Sequence, residues 1–357
     1  MKILDSYIIK RYLATFFIML LLFIPIGIMV DIAEKIDKFK ENEVPNSALF
    51  DYYIDFTWHF ANQLFPIFLF LSVIWFTSKL ANNTEIIAIL SSGISFWRFL
   101  KPYMISALII AFLAFIFGMF IVPTSNRGYK EFGFKYLKKK NERNTTYLFK
   151  QINPSEFIYV SSYNPIRKRA NNFTLERFNG NKLELKINAE SIRWIESDSV
   201  FRLSNYIKRK FNNDQELLEK LNQKDTIFDF KIDDLSPVKY KAETLTMFAL
   251  NDFINNEKES GSILINSHLL VRHKRYSLPF SCFILTIIAV SMSSFKRRGG
   301  MGLNLAIGIT LGFLFIFFDK IFGVLVTKAK FSPALAAWSP ILLFGLLAIF
   351  LLRYAKR

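Results

Sequence analysis

Cysteine, histidine and acidic residues are all scarce in this chain of 357 residues. It has one cysteine and three histidines, and its 46 lysines and arginines outnumber 29 aspartates and glutamates. The single cysteine, Cys282, excludes an intramolecular disulfide, and its place in an apolar run indicates a packing role. His268 and His273 are five residues apart and His59 is remote from both, so we expect no metal site.

The sequence also lacks a phosphate-binding loop of the form GxxxxGK[ST]. We therefore expect the chain to bind no ATP or other cofactor by that means, so that any energy from ATP comes from a partner. The formal net charge is +17, and the larger share of it lies in the apolar parts of the chain. That distribution favours contact with anionic lipid over nucleic acid, and the sequence argues against an enzyme.

Six long uncharged runs are the most informative feature that is present. They cover residues 12–30, 56–78, 102–126, 276–295, 299–318 and 331–352. About 20 apolar residues cross a hydrocarbon core as a helix, because each residue advances about 1.5 Å. Between Arg127 and Arg275 the longest uncharged run, 260–271, has only 12 residues. The sequence predicts three transmembrane helices on each side of a water-exposed middle; six buried helices of a soluble protein are the disfavoured alternative.

The positions of basic residues predict the orientation in the membrane, since lysine and arginine in short loops are retained in the cytoplasm. Lys79 and Arg298 lie in two such loops, which places both termini inside and the middle domain outside. Lys35, Lys38 and Lys40 are exceptions, because they follow the first run and so lie on the outer side. They make the outer rim of the helical bundle basic, and we call this the basic rim. They either neutralise lipid phosphates or merely extend to the membrane surface from a helix end.

The middle section has the alternating pattern of β-strands. Strands are predicted at 157–163, 173–178, 182–187, 191–195, 200–207 and 225–232. Asn179-Gly180 predicts a type I′ hairpin turn, and 214–221 a short helix capped by Asn213. We expect an antiparallel sandwich or open jelly roll. Its apolar inner face suits either a filled core or a groove for an acyl chain, and alternation alone does not separate these.

The loop between the second and third runs predicts a short cytoplasmic helix at about 83–92. Asn82 and Glu85 have the spacing of a capping box, and Gly93 suits the left-handed residue that ends a helix. Ile86, Ile89 and Leu90 form its apolar face. No basic residue lies between Asn82 and Ser95, which favours docking on a soluble partner over docking on a membrane. Glu85 serves either as a cap alone or as a cap that also contacts the partner.

Several segments carry a family resemblance. They are Thr84-Glu85-Ile86-Ile87-Ala88-Ile89-Leu90-Ser91-Ser92-Gly93, Val122-Pro123, Arg275-Tyr276-Ser277-Leu278-Pro279-Phe280, Arg297-Arg298-Gly299-Gly300 and 332–340. In their order and spacing, within a layout of three spans, a β domain and three spans, they resemble the lipopolysaccharide export permeases of the LptF/LptG type. The resemblance covers essentially the whole chain. It implies transmembrane helices 1–3 in residues 1–126, a periplasmic β-jelly-roll domain in 127–267 and helices 4–6 in 268–357.

The resemblance also implies partners. Members of the family pair with a second, homologous permease and bind a dimer of a separate cytoplasmic ATPase, which holds the ATP and Mg²⁺. They pass lipopolysaccharide to a bridge of β-jelly-roll domains with its own membrane anchor. The chain is then expected in a bacterial inner membrane as a permease of an ATP-binding cassette transporter.

Individual residues take their roles from the same resemblance. Glu85, Ile86, Ile89, Leu90 and Gly93 belong to the helix that couples the permease to the ATPase. The first and fifth spans line a lateral gate for lipid, which includes Ile28, Asp31, Ile32, Phe318 and Phe322. Lys35, Lys38 and Lys40 then lie near the lipid phosphates. This chain departs from the pattern where Glu34 and Asp37 interleave with those lysines, and where Arg272 and His273 precede the fourth span in place of a glutamate.

Two alternatives remain open from the sequence. One is a membrane-anchored sensor or assembly protein with an external β domain that binds a ligand. The other is an exporter of a different amphiphile. Asp319 and Lys320, at the end of the fifth run, indicate either a functional pair at membrane depth or an ordinary boundary pair.

Overall fold

A computed structural model describes residues 3–355 except 138–144, 165–166, 213–214, 231–240, 263 and 296–299. The chain divides into two compact units. The helical unit comprises Met1–Phe132, Ala242–Leu250 and Asn266–Arg357, and the β unit comprises Gly133–Lys241 and Asn251–Ile265. Ala242–Leu250, which the sequence placed in the middle domain, thus belongs to the helical unit.

The helices are longer than the uncharged runs that predicted them. They are α1 (Ile3–Glu41), α2 (Asn46–Asn82), α3 (Glu85–Ser91), α4 (Phe96–Ile116), α5 (Val122–Phe132), α6 (Lys241–Thr244), α7 (Met247–Glu259), α8 (Ile265–Ser293), α9 (Gly300–Ala329) and α10 (Pro333–Ala355). Two π-helical turns, Phe117–Ile121 and Gly133–Leu137, continue α4 and α5 as one helix, Phe96–Leu137. Six helices of the described chain are long and apolar enough to cross a membrane: α1, α2, Phe96–Leu137, α8, α9 and α10. The six predicted spans are confirmed.

The second and fourth spans, α2 and α8, form the centre of the helical unit. Buried residues make up 72% of the most apolar stretch of α2 and 67% of that of α8. Two hydrogen bonds between helices pair polar groups of this core, where lipid offers them no partner. The Tyr12 and Thr286 hydroxyls lie 3.0 Å apart, and Thr77 donates to Tyr103 over 3.1 Å. Cys282 is a free thiol in this core, as its apolar surroundings predicted.

The first and fifth spans, α1 and α9, have the opposite character. Only 6% of the most apolar stretch of α1 and 17% of that of α9 are buried. An apolar helix surface needs either a packing partner or lipid around it. Within this chain, α1 and α9 therefore present apolar surface outward.

One glycine allows α1 to approach α2 closely. A Cβ atom on Gly27 would lie 2.5 Å from two carbons of the Phe60 ring. Phe60 is itself stacked on Phe56, with ring centroids 5.4 Å apart, so the ring has little room to yield. The α1–α2 contact thus requires a residue without a side chain at position 27.

We expect Gly27→Ala to lower the free energy of unfolding by about 1–3 kcal/mol, the usual cost of overpacking. The apparent Tm of the detergent-solubilised protein measures the effect. Gly302→Ala is the matched control, since a Cβ there meets open space and alanine favours a helix. Equal Tm values for Gly27→Ala and the native chain would show that Phe60 adapts.

The β unit contains six strands in one antiparallel sheet. They are β1 (Thr145–Asn153), β2 (Glu156–Asn164), β3 (Arg169–Asn179), β4 (Lys182–Ile195), β5 (Val200–Asn212) and β6 (Gln215–Thr226). Each strand pairs with its neighbours in sequence, in the order β1 to β6. The inserted all-β domain is confirmed. A jelly roll would also place non-consecutive strands side by side, and no described strand is paired in that way, so the described part is a meander.

One face of the sheet carries the apolar core. Its fully buried side chains include Ile158, Val160, Phe173, Ile192, Phe201 and Leu203. Phe228 and Phe230, which follow β6, fold onto this face, with ring centroids 5.7 Å from Phe173 and 5.0 Å from Phe201 respectively. At its edge, Arg202 binds Asp225 through hydrogen bonds of 2.9 and 2.8 Å, which joins β5 to β6 and lowers the pKa of Asp225.

The predicted helix at 214–221 is wrong. Residues from Gln215 onward belong to β6, which pairs with β5 from Asn212↔Gln215 to Phe201↔Thr226; positions 213 and 214 lie outside the described residues. An isolated helix of eight residues is marginal in water. Pairing with the open edge of β5 satisfies the same backbone groups, so tertiary context overrides the local pattern.

Two further predictions for this domain need correction. The strand expected at 225–232 ends at Thr226, and its alternating phenylalanines cover the sheet instead of extending it; 231–232 lie outside the described residues. The β3–β4 turn has Gly180 and Asn181 at its centre, because Asn179 pairs with Lys182. Of these two, only Gly180 has positive φ, which excludes type I′. The segments 182–187 and 191–195 form one strand, β4.

Candidate functional site

The predicted coupling helix is α3, which is shorter than expected. It spans seven residues, Glu85–Ser91, against an expected range of about 83–92. The capping box is absent, because Asn82 is the last residue of α2 and Thr84 precedes α3 with φ of 61° and no side-chain cap. Gly93 has φ of 89° and its N–H donates to the carbonyl of Leu90 over 3.1 Å. The predicted helix end at Gly93 is confirmed.

Glu85 is held in place by two donors. Tyr7 of α1 donates its hydroxyl to one carboxylate oxygen over 3.2 Å, and the Asn83 amide donates to the other over 3.1 Å. These bonds fix the direction of the carboxylate at the start of α3. No sequence pattern points to Tyr7, since the pairing spans 78 positions of the chain.

The apolar face of α3 packs inward. Ile86 is only 1% exposed, and it packs in the core of the helical unit with Ile89 and Leu90 against it. The opposite face exposes Ile87, at 52%. A partner that docks on α3 would thus meet Glu85 and Ile87, while Ile86, Ile89 and Leu90 anchor the helix to its own bundle.

The three lysines assigned to lipid phosphate differ in their surroundings. Lys38 and Lys40 are exposed. Lys35 is enclosed: it is ion-paired with Asp31 and donates to the Tyr52 hydroxyl over 2.7 Å. Tyr52 donates in turn to Asp31 over 2.9 Å.

Aromatic rings complete the enclosure of Lys35. Its ammonium lies 5.4 Å from the ring centroid of Tyr52, 5.9 Å from that of Phe56 and 5.6 Å from that of Tyr129. Phe56 and Tyr129 are within range of a cation–π attraction, whereas Tyr52 holds the ammonium through its hydroxyl. The group of Asp31, Lys35 and these rings, which we call the Lys35 cage, joins α1 to α2 and α5.

The residues assigned to the lateral gate lie on the two exposed spans. On α1, Ile32 is exposed, Ile28 is half-buried and Asp31 is buried in the Lys35 cage. On α9, Phe318 contacts Phe344 of α10 with ring centroids 6.5 Å apart. Phe322 contacts Phe331, at 6.1 Å.

A groove of about 370 Å³ runs between α1 and α2 beside these α1 residues. Its apolar wall includes Phe23, Val30, Phe60 and Phe68, and its polar end includes Asp31, Glu34, His59 and Gln63. Apolar walls with one polar end suit an amphiphilic guest. This groove was not predicted, because it depends on the spacing of two helices.

A second cavity, of about 310 Å³, lies deeper, among α2, α5, α8, α9 and α10. We call it the polar cavity. Its polar lining comprises His59, Asn62, Gln63, Asn126, Glu243, Lys274, Arg275, Ser277, Ser281, Asp319 and Lys320. Asp319 binds Lys274 of α8 over 2.7 Å, so its partner is a residue of another span and not the neighbouring Lys320.

These elements define the class of the protein. It is a helical membrane protein of six spans, with a β unit inserted between the third and the fourth. The sequence matches the family described as lipopolysaccharide export system permease LptF/LptG over residues 6–354, and the chain belongs to that family. The expected membership is confirmed. Together with the six apolar helices, it identifies a multi-pass inner-membrane permease, a transport subunit.

Curated relatives agree with this assignment. The chain is 20% identical over 353 residues to the lipopolysaccharide export system permease protein LptG of Escherichia coli strain K12, which covers 98% of each chain. The protein of the same name from Escherichia coli O6:H1, strain CFT073, matches with the same identity and coverage.

Proposed function

We propose that this chain extracts lipopolysaccharide from the inner membrane, as one permease of an ATP-driven exporter, and passes it to a periplasmic bridge of β-jelly-roll domains. Its partners are a homologous permease, a cytoplasmic ATPase dimer that binds ATP and Mg²⁺, and the membrane-anchored bridge protein. Both termini lie in the cytoplasm and the β unit in the periplasm. The chain itself binds no nucleotide.

The physical problem is to keep acyl chains out of water. Burial of each methylene is worth about 0.8 kcal/mol, so exposing a lipid with several acyl chains costs on the order of tens of kcal/mol. The lipid therefore needs a continuous apolar path from the bilayer to the receiving domain. A gate that opens sideways in the bundle supplies the first part of such a path.

The observation that carries the proposal is the exposure of α1 and α9. Only 6% and 17% of the most apolar stretches of these two spans are buried within this chain, whereas α2 and α8 are packed. Surfaces of this kind suit contact with a second permease and with a lipid between the two. Ile28, Asp31, Ile32, Phe318 and Phe322 are the gate residues in this proposal.

Headgroup phosphates are assigned to the basic rim. Lys38 and Lys40 are the contacting residues, because their ammonium groups are exposed and available to anions. Lys35 contributes by holding α1 in place, since its charge is already neutralised by Asp31.

Site-specific photo-crosslinking tests the proposal. A photoreactive residue at Ile32 or Phe318, in the complex with the ATPase, is expected to capture lipopolysaccharide, and ATP is expected to reduce the capture several-fold as the lipid leaves. Leu346 of α10, which is 67% exposed, is the matched control and should capture bulk phospholipid only. Equal, ATP-independent capture of lipopolysaccharide at all three positions would refute the gate and favour a sensor or assembly protein.

A further inference from the structure

The polar cavity has an excess of positive charge once its ion pairs are removed. Asp319 is neutralised by Lys274 at 2.7 Å, and Glu243 by Lys130 at 2.7 Å. Arg275 and Lys320 remain, and neither has a carboxylate within 4.0 Å among the residues that the structure describes. Two cations at one cavity therefore lack a counter-ion within the described chain.

Arg275 is also incompletely hydrogen-bonded. Its Nη2 donates to the carbonyls of Ala242, over 3.1 Å, and Leu245, over 2.6 Å. Its Nη1 is buried and has no acceptor among the described residues. A buried charged donor without an acceptor is costly. An acceptor that enters the cavity would remove that cost.

We propose that the polar cavity is a binding site for a phosphate group, held by Arg275 from inside and by Lys320 at the mouth. The site lies within a single permease and is distinct from the Lys35 cage. Lys320 belongs to α9, between the gate residues Phe318 and Phe322, whereas Arg275 belongs to α8. The site is an addition to the gate and the basic rim, and it does not require that the chain export lipid.

Phosphate suits donors that lie apart from one another, because its oxygens can accept from several groups at once. Both Nη2 hydrogens of Arg275 are taken by the two carbonyls, so Nη1 donates to one phosphate oxygen and the Lys320 ammonium binds another. The amides of Asn62 and Gln63 line the same cavity and add neutral donors. A volume of about 310 Å³ is at the lower end for ligand sites and suits a headgroup, not a whole multi-acyl lipid.

The phosphate has two possible sources, a free ion or a lipid headgroup. Leu278, Phe315 and Ile341 form an apolar part of the lining, which would accommodate the first carbons of a lipid. Binding of inorganic phosphate and of dihexanoyl phosphatidic acid separates the two. The measurement is isothermal titration of the full-length chain in a maltoside detergent, which contains no phosphate.

Lys320→Gln is expected to weaken phosphate binding about tenfold, the usual effect of losing one charged hydrogen bond. Lys320 is exposed, so the variant should fold. Lys328→Gln, an exposed lysine of the same helix outside the cavity lining, is the matched control and should bind within twofold of the native chain.

Three outcomes decide the proposal. Binding of both probes, weakened only by Lys320→Gln, supports a phosphate site that a free ion can fill. Binding of the lipid alone, with the same dependence on Lys320, supports a headgroup site. No saturable binding of either probe, or equal weakening by Lys320→Gln and Lys328→Gln, overturns it. The titration uses no ATPase and no lipopolysaccharide, so its failure is distinct from failure of the export test.

Discussion

Replacement of Glu85 by lysine is expected to abolish copurification of the cytoplasmic ATPase while leaving membrane insertion intact. We propose that the carboxylate contacts a basic residue of the ATPase, one of the two roles that the sequence left open for Glu85, and the reversed charge would repel that residue. Tyr7 and Asn83 orient this carboxylate by hydrogen bonds of 3.2 and 3.1 Å. The measurement is the amount of ATPase recovered with the affinity-tagged permease.

Two further variants separate charge from position. Tyr7→Phe removes one orienting bond and keeps the charge, so we expect only a partial loss of ATPase. Asn82→Lys adds the same positive charge at the end of α2, where the residue is exposed, and should retain the ATPase. Full recovery of the ATPase with Glu85→Lys would restrict Glu85 to a structural role at the start of α3.

Replacement of Asp31 by asparagine is expected to cost about 3–5 kcal/mol of stability, because it leaves the Lys35 charge without its counter-ion. The Asp31 and Lys35 side chains are only 7% and 16% exposed. Solvent therefore compensates little for the lost ion pair. The apparent Tm in detergent, followed by tryptophan fluorescence, should fall by several degrees.

A matched control and a compensating variant make this prediction specific. Asp37→Asn removes an exposed carboxylate from the same helix and should change the Tm little. The double change Asp31→Leu with Lys35→Met should recover most of the loss, since apolar residues often replace a buried ion pair without cost. If Asp31→Asn and Asp37→Asn have the same Tm, the Lys35 cage contributes nothing to stability.

The Lys35 cage shows which features of the site could be predicted from the sequence and which could not. Lys35, Lys38 and Lys40 look equivalent along the chain, and the interleaved acids gave the only hint of pairing. Their environments differ because α1 turns Lys35 toward Tyr52 and Tyr129, which belong to other helices. Periodicity alone does not identify those neighbours.

The α3 helix is also only partly predictable from the sequence. The apolar positions Ile86, Ile89 and Leu90 predicted that the helix docks on something, and Gly93 predicted where it ends. The surface beneath that face is the chain's own bundle, where Ile86 is buried. Ile87 is exposed on the opposite face, although no sequence pattern singled it out.

The sequence by itself determined the six spans, the inserted β domain and the family, because uncharged runs of about 20 residues and period-two alternation depend only on local composition. The tertiary structure decided which charges are free and which are neutralised, that 215–226 is a strand, and that a polar cavity surrounds Arg275. These features depend on side chains from helices or strands that are distant in sequence. Their energies come from packing and desolvation in three dimensions.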